Sequence, residues 1–148
     1  MKNRVLVTAA VAGFLSVSCS MLGGGGTREL RLTGNPDVPA AEGRAKVSTT
    51  DNGNTQIELV VEHLAPPEQV SSDATVYVVW VQNTQPYEHA QNLGALKVDG
   101  NLNGSIKTVT SLRSFDLFVT AEPSPSSTSP TGDALLRTNV VMASVNNN

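Results

Sequence analysis

Beyond its N-terminal segment, this chain carries its apolar residues in short runs of period two, divided by Gly, Pro, Asn and Asp, and shows no helical period. Period two sends successive side chains to opposite faces of an extended strand. In the run 28–33, Leu30 and Leu32 oppose Glu29 and Arg31; in 56–62, Ile57, Leu59 and Val61 oppose Glu58 and Glu62. The run 45–49 carries a weaker version of the same pattern. Asp51-Asn52-Gly53-Asn54 lies between the last two runs and reads as a tight hairpin, because Asn and Gly accept positive φ. Pro66-Pro67 should end the ladder, since proline brings no donor to it.

The run 74–82 is apolar on both faces, with Val76, Val78 and Trp80 on one and Tyr77, Val79 and Val81 on the other, as a central strand requires. Further strands are expected at 93–98, 105–110, 114–121 and 135–145, with a turn at Asp99-Gly100-Asn101. About eight strands at this spacing predict an all-β domain over 28–148, an immunoglobulin-like antiparallel sandwich with Greek-key links; a closed barrel is the alternative. Trp80 is expected in the core of such a sandwich. The Pro- and Ser-rich stretch 123–130 is expected to project as a mobile loop between the last two strands.

The first residues have a different character. Lys2 and Arg4 precede an apolar run, 5–17, too short to cross a bilayer, since a spanning helix needs about 20 residues. Small residues follow, and then Cys19, the single cysteine. A positive start, an apolar middle and a small-residue end mark 1–18 as a signal peptide. Leu15-Ser16-Val17-Ser18-Cys19 resembles a bacterial lipoprotein signal, in which the thiol is diacylated and the chain is cut in front of it. Ordinary secretory cleavage is the alternative, since Ser16 and Ser18 also satisfy its small-x-small rule. Acylation would consume a thiol that has no disulfide partner in the chain. Residues 19–27, with Gly23 to Gly26, then form a tether of about 30 Å when extended.

Removal of 1–18 takes away Lys2 and Arg4 and leaves eight basic against thirteen acidic residues, a net charge of −5 with neutral histidines. The remaining Lys and Arg are scattered among acids, which argues against a nucleic-acid partner.

The last third carries a recognisable order of features. Val78-Val79-Trp80-Val81, Leu93-Gly94-Ala95-Leu96, Asp99-Gly100, Val119-Thr120-Ala121-Glu122-Pro123 and Pro130-Thr131-Gly132 together resemble the extracytoplasmic C-terminal domain of anti-sigma-K factors. The resemblance covers about 75–140 and implies a sandwich fold in an extracytoplasmic setting. Anti-sigma factors place a cytoplasmic sigma-binding segment and a transmembrane helix ahead of that domain, and this sequence carries neither.

No pattern for catalysis stands out. His63 and His89 are the only histidines, each beside a glutamate, and there is no His-x-His pair or second cysteine to build a metal site, so no metal or cofactor is expected. No Gly-x-Ser-x-Gly elbow supports a hydrolytic triad. The loop 83–89 is the candidate contact surface, through Tyr87, Glu88 and His89, because tyrosine offers large area at low entropic cost. The expected protein is a non-enzymatic binding or structural module of the cell envelope. Lipid on Cys19 would hold it to a membrane, outer or inner, where an envelope protein would be its partner; the alternatives are a secreted form and a sensory accessory related to the anti-sigma-K domain.

Overall fold

The structure, a computed structural model, describes residues 26–86 and 88–143. The signal segment, Cys19, most of the tether and Tyr87 lie outside the described residues. Nine strands and one helical turn follow in order among those residues: β1 (Arg28–Gly34), β2 (Glu42–Thr49), β3 (Thr55–Glu62), α1 (Pro67–Val70), β4 (Val76–Asn83), β5 (Gln91–Ala95), β6 (Lys97–Val98), β7 (Gly104–Thr110), β8 (Ser114–Glu122) and β9 (Leu136–Val141). All pairings are antiparallel, and the strands form one nearly closed sheet in the order β5-β4-β8-β9-β1-β2-β3-β7-β6. The chain is all-β, as its period-two patterning requires.

Two layers face each other across the core. One layer is β2-β3-β7-β6 and the other β9-β8-β4-β5, which are the A-B-E-D and G-F-C-C′ orders of an immunoglobulin-like sandwich. Strand β1 is an addition to that plan. Its first part, Arg28 to Leu32, pairs with β2, while Thr33 and Gly34 pair with β9. It therefore stitches the two layers together along one side. On the other side the expected strand 93–98 is divided into β5 and β6, which gives nine strands where the sequence suggests about eight. The break falls at Leu96, which is buried and donates its N–H to the Tyr77 carbonyl at 2.9 Å. The strand thus leaves β4 and crosses to β7. A sandwich with chain crossing at both sides approaches the closed barrel given as the alternative.

The turns follow their residues. Thr50 and Asn54 close the β2–β3 hairpin around Gly53 at φ 78°, with Thr50 N–H donating to the Asn54 carbonyl at 2.8 Å. At the β6–β7 turn the Asp99 carboxylate accepts the N–H groups of Asn101 at 2.8 Å and Asn103 at 3.0 Å. Those two backbone donors hold its carboxyl below the usual range. The Pro66-Pro67 stop is taken up as the single turn of α1.

Core residues alternate along the strands: Ala45 and Val47, Ile57, Leu59 and Val61, Tyr77, Val79 and Val81, Phe115, Leu117 and Val119, Leu136 and Val140 are all fully buried between the layers. Each such Val, Leu, Ile or Phe side chain contributes about 1.5–3 kcal/mol through burial. Tyr77 keeps its polar tip satisfied by donating to the Ala65 carbonyl at 2.5 Å. Burial, and then the charge of Glu68, push its pKa up to about 12.

Close packing reaches the backbone at Gly104, where β7 begins under Leu96. A Cβ there would stand 2.8 Å from Leu96 Cγ, a separation real Cβ atoms do not show. Gly104→Ala should therefore lower stability by about 1–3 kcal/mol, as over-packing does, read as a fall in the urea midpoint with an unchanged slope.

Candidate functional site

The two outer faces of the sandwich are finished differently. On the outer face of β4 and β8, Val78, Trp80 and Phe118 form a second apolar cluster, with Val76, Ala90 and Ala134 packed against it. Trp80 is fully buried, as expected, but it lies outside the inter-layer core, whose β4 positions belong to Tyr77, Val79 and Val81. Arg137, the cross-strand neighbour of Phe118, places its guanidinium 5.4 Å from that ring.

The stretch 123–135 covers this cluster. It does not project. Asn92, paired with Trp80 across the β4–β5 ladder, donates its amide to the carbonyls of Pro125 at 3.0 Å and Ser127 at 2.8 Å. Its own carbonyl accepts the Gly94 N–H at 2.8 Å, where Gly94 sits at φ 125° beside a bulge. The second clamp is Glu122, the last residue of β8 and fully buried. Its carboxylate accepts the Thr120 hydroxyl at 2.5 Å, the Thr131 N–H at 3.0 Å and the Thr131 hydroxyl at 2.7 Å. Thr120 in turn accepts the Trp80 indole N–H at 2.9 Å. Burial alone would raise the Glu122 pKa, yet these hydrogen bonds outweigh it and hold the carboxyl below its usual value. A chain of donors thus runs from the indole to a buried charge. Among the described residues no buried side-chain polar atom lacks a partner.

The outer face of β1, β2, β3, β7 and β6 is open. Glu29, Lys46, Glu58 and Lys107 stand in one row across four strands, each opposite the next. Lys107 bonds Glu58 at 2.9 Å and lowers its pKa, while Arg44 bonds Glu62 at 2.9 Å. Such exposed pairs add little stability, because solvent screens them and holding two long side chains together costs entropy. Between them lies a shallow groove of about 290 Å³ lined by Glu29, Arg44, Lys46, Glu58, Val60 and Glu62. Val60 and Val109 are 45% and 46% exposed on this face.

The sequence-derived contact loop is less organised. Glu88 and His89 are exposed, and Gln82 donates to the Glu88 carbonyl at 2.9 Å. His63 follows β3, whereas His89 lies in the β4–β5 loop, where the Thr84 hydroxyl meets that of Ser114 at 3.3 Å. The registers put these at opposite ends of the sandwich, so the two histidines are not brought together. Among the described residues no three His, Cys, Asp or Glu side chains gather as metal ligands would. The features that sequence reasoning did not single out are Asn92, the Glu122 clamp and the charged row. A glutamate ending an otherwise apolar strand was the available signal for the clamp.

No family model matches this chain, and neither a curated protein nor a solved structure matches it. The likeness to anti-sigma-K domains therefore rests on the quoted residues alone.

Because the Glu122 pKa is depressed on folding, its contribution is present above the unfolded value of about 4.3 and lost as pH falls through the folded one. Acid titration should therefore weaken the wild-type fold below about pH 4.3, with a red shift in the emission of Trp80, the sole tryptophan. Glu122→Gln should cost about 1–3 kcal/mol at neutral pH by mismatching the Thr131 N–H and hydroxyl donors, and should flatten that acid dependence.

Proposed function

We propose that this protein is an exported, lipid-anchored module of the cell envelope that binds another macromolecule and performs no catalysis. The observation that carries the reading is the contrast between the two outer faces. On one, the apolar cluster is covered by the chain's own loop, with the buried polar groups beside it consumed in holding that loop. The other is left as an open sheet of paired charges around exposed valines. Groups arranged this way offer a docking surface, whereas chemistry needs convergent reactive groups in a desolvated cleft.

The anchor reading rests on Cys19 and its flanking residues, and the fold is compatible with it. Strand β1 starts at Arg28 beside Val47 and donates from its guanidinium to the Val141 carbonyl. The β2–β3 turn, Arg113 and Ala143 are at the same end, tied by Arg113 hydrogen bonds to Gly53 and Ala143. A tether running into Arg28 would hold that end toward the membrane. The loops 35–41, 63–75 and 99–103 would then be held away from it. A diacylglyceryl group buries enough methylenes, at about 0.8 kcal/mol each, for durable attachment.

One observation favours the alternative, a sensory accessory related to anti-sigma-K domains. Trp80, Thr120, Glu122 and Thr131, all within the quoted resemblance, form a single hydrogen-bonded unit. Part of the quoted resemblance therefore falls on one hydrogen-bonded unit. Deletion of the gene should change an envelope-stress regulon under this reading, and an unaltered transcriptome would dismiss it.

Cys19→Ser should move the protein from the membrane fraction to the soluble extracytoplasmic fraction, with loss of the lipid increment in intact mass. Affinity capture from detergent-solubilised envelopes should recover a partner. Turnover of an envelope substrate without any recovered partner would overturn the binding-module reading.

A further inference from the structure

We propose that the open face of β1, β2, β3 and β7 pairs with the same face of a second copy of this chain. The row across these strands reads Glu29, Lys46, Glu58, Lys107. All four side chains point outward, because Ala45, Val47, Ile57 and Leu59 on the intervening positions are buried. Two such faces can meet about a two-fold axis in two simple ways. With the axis along the strands, between β2 and β3, the row of one copy runs backwards over the other. Glu29 then faces Lys107 of the second copy, Lys46 faces its Glu58, and the two remaining contacts repeat these by symmetry. Every pair in the row is of opposite sign. With the axis across the strands, each residue faces its own twin, Glu on Glu and Lys on Lys.

The next positions agree with the first arrangement. Arg44 comes over the exposed Val60 of the other copy, giving its methylenes an apolar seat, and Ser48 comes over Gln56. The like-charged contact Glu42 over Glu62 arises twice by the same symmetry, and each time Arg44, bonded to Glu62 at 2.9 Å, stands next to it. Packed sheets cross at roughly 30°, so the central Lys46–Glu58 contacts, nearest the axis, are the best aligned.

A second argument selects the same axis and rests on the anchor reading given above. An axis along the strands leaves the Arg28 ends of both copies side by side, where two tethers enter one membrane. An axis across the strands sends them to opposite ends. Charge and tether geometry are independent, and both select the axis along the strands. Four strands at about 4.8 Å and seven residues at about 3.3 Å give a face on the order of 450 Å², below the roughly 800 Å² per partner of a stable complex. Association in solution should therefore be weak, and shared anchoring would raise the effective concentration.

The test uses the full chain carrying Cys19→Ser, so that its outcome is separate from that of the anchor. Sedimentation equilibrium at about 100 μM, the regime of weak complexes, should show reversible dimers at low salt. Association should weaken roughly tenfold or more at 1 M salt, where the Debye length falls to about 3 Å. Glu29→Lys/Glu58→Lys makes the row all basic, and Lys46→Glu/Lys107→Glu makes it all acidic. Each variant alone should be monomeric, and an equimolar mixture should form a one-to-one pair. Circular dichroism checks that both fold. If either does not, the salt response of the chain with its row unaltered decides alone. A monomer at every salt concentration, association indifferent to salt, or a mixture that fails to pair would overturn the proposal. None of these results would touch the assignment of Cys19, which membrane fractionation tests separately.

Discussion

A carboxylate withdrawn from water at the end of β8 can stay charged only if donors surround it, and the rest of the outer architecture follows from how this chain supplies them. Two of the three donors to Glu122 come from Thr131, nine residues further on, so satisfying the charge requires 123–135 to fold back. The same fold-back covers Trp80 and Phe118, which would otherwise leave an apolar patch on the outside of the sheet. The third donor, Thr120, is itself tied to the Trp80 indole. Charge satisfaction and apolar burial are thus one event at this site. A proline- and serine-rich loop becomes a lid because a glutamate precedes it and a threonine ends it.

The second constraint is closure. An open sandwich leaves edge strands whose unpaired groups invite pairing with other chains. Here β1 joins β2 to β9 on one side, and the chain through Leu96 passes from β4 to β7 on the other. Both crossings need a residue that leaves one ladder and enters another within a few positions. Thr33 and Gly34 do so in β1, and Leu96 does so between β5 and β6. With the edges nearly consumed and the apolar cluster covered by the loop, the charged face of β1, β2, β3 and β7 stays open, with Val60 and Val109 exposed on it. On that face Lys107 holds the Glu58 carboxyl below the usual carboxylate range.

Much of the fold was legible along the chain. The alternation at Leu30 and Leu32, at Ile57, Leu59 and Val61, and at Phe115, Leu117 and Val119 assigns strands and inward faces directly, because only one face of each strand can be apolar beside a wetted one. The Asn-Gly turn at Gly53 was legible for the same local reason. The run 74–82 reads as a central strand, but its two apolar faces leave open which of them enters the core. Trp80 illustrates the ambiguity: its burial was foreseen, while its placement under the loop depends on residues forty and more positions away. The run 93–98 looked like one strand because nothing local marks Leu96 as the crossing point. Of the candidate site, Glu88 and His89 were foreseen as surface residues, and the charged row was not foreseen at all.

By itself, the sequence determined that this chain forms strands, where most of them begin and end, and which side is apolar wherever the other is polar. Those properties depend on side chains within a few residues of one another, and a period of two expresses them fully. Only the tertiary structure decided that Glu29, Lys46, Glu58 and Lys107 share a row, that Thr131 reaches Glu122, and that β1 and Leu96 carry the chain between layers. Register between strands distant in sequence is set by the joint packing of the core, and no local pattern encodes a distance across it.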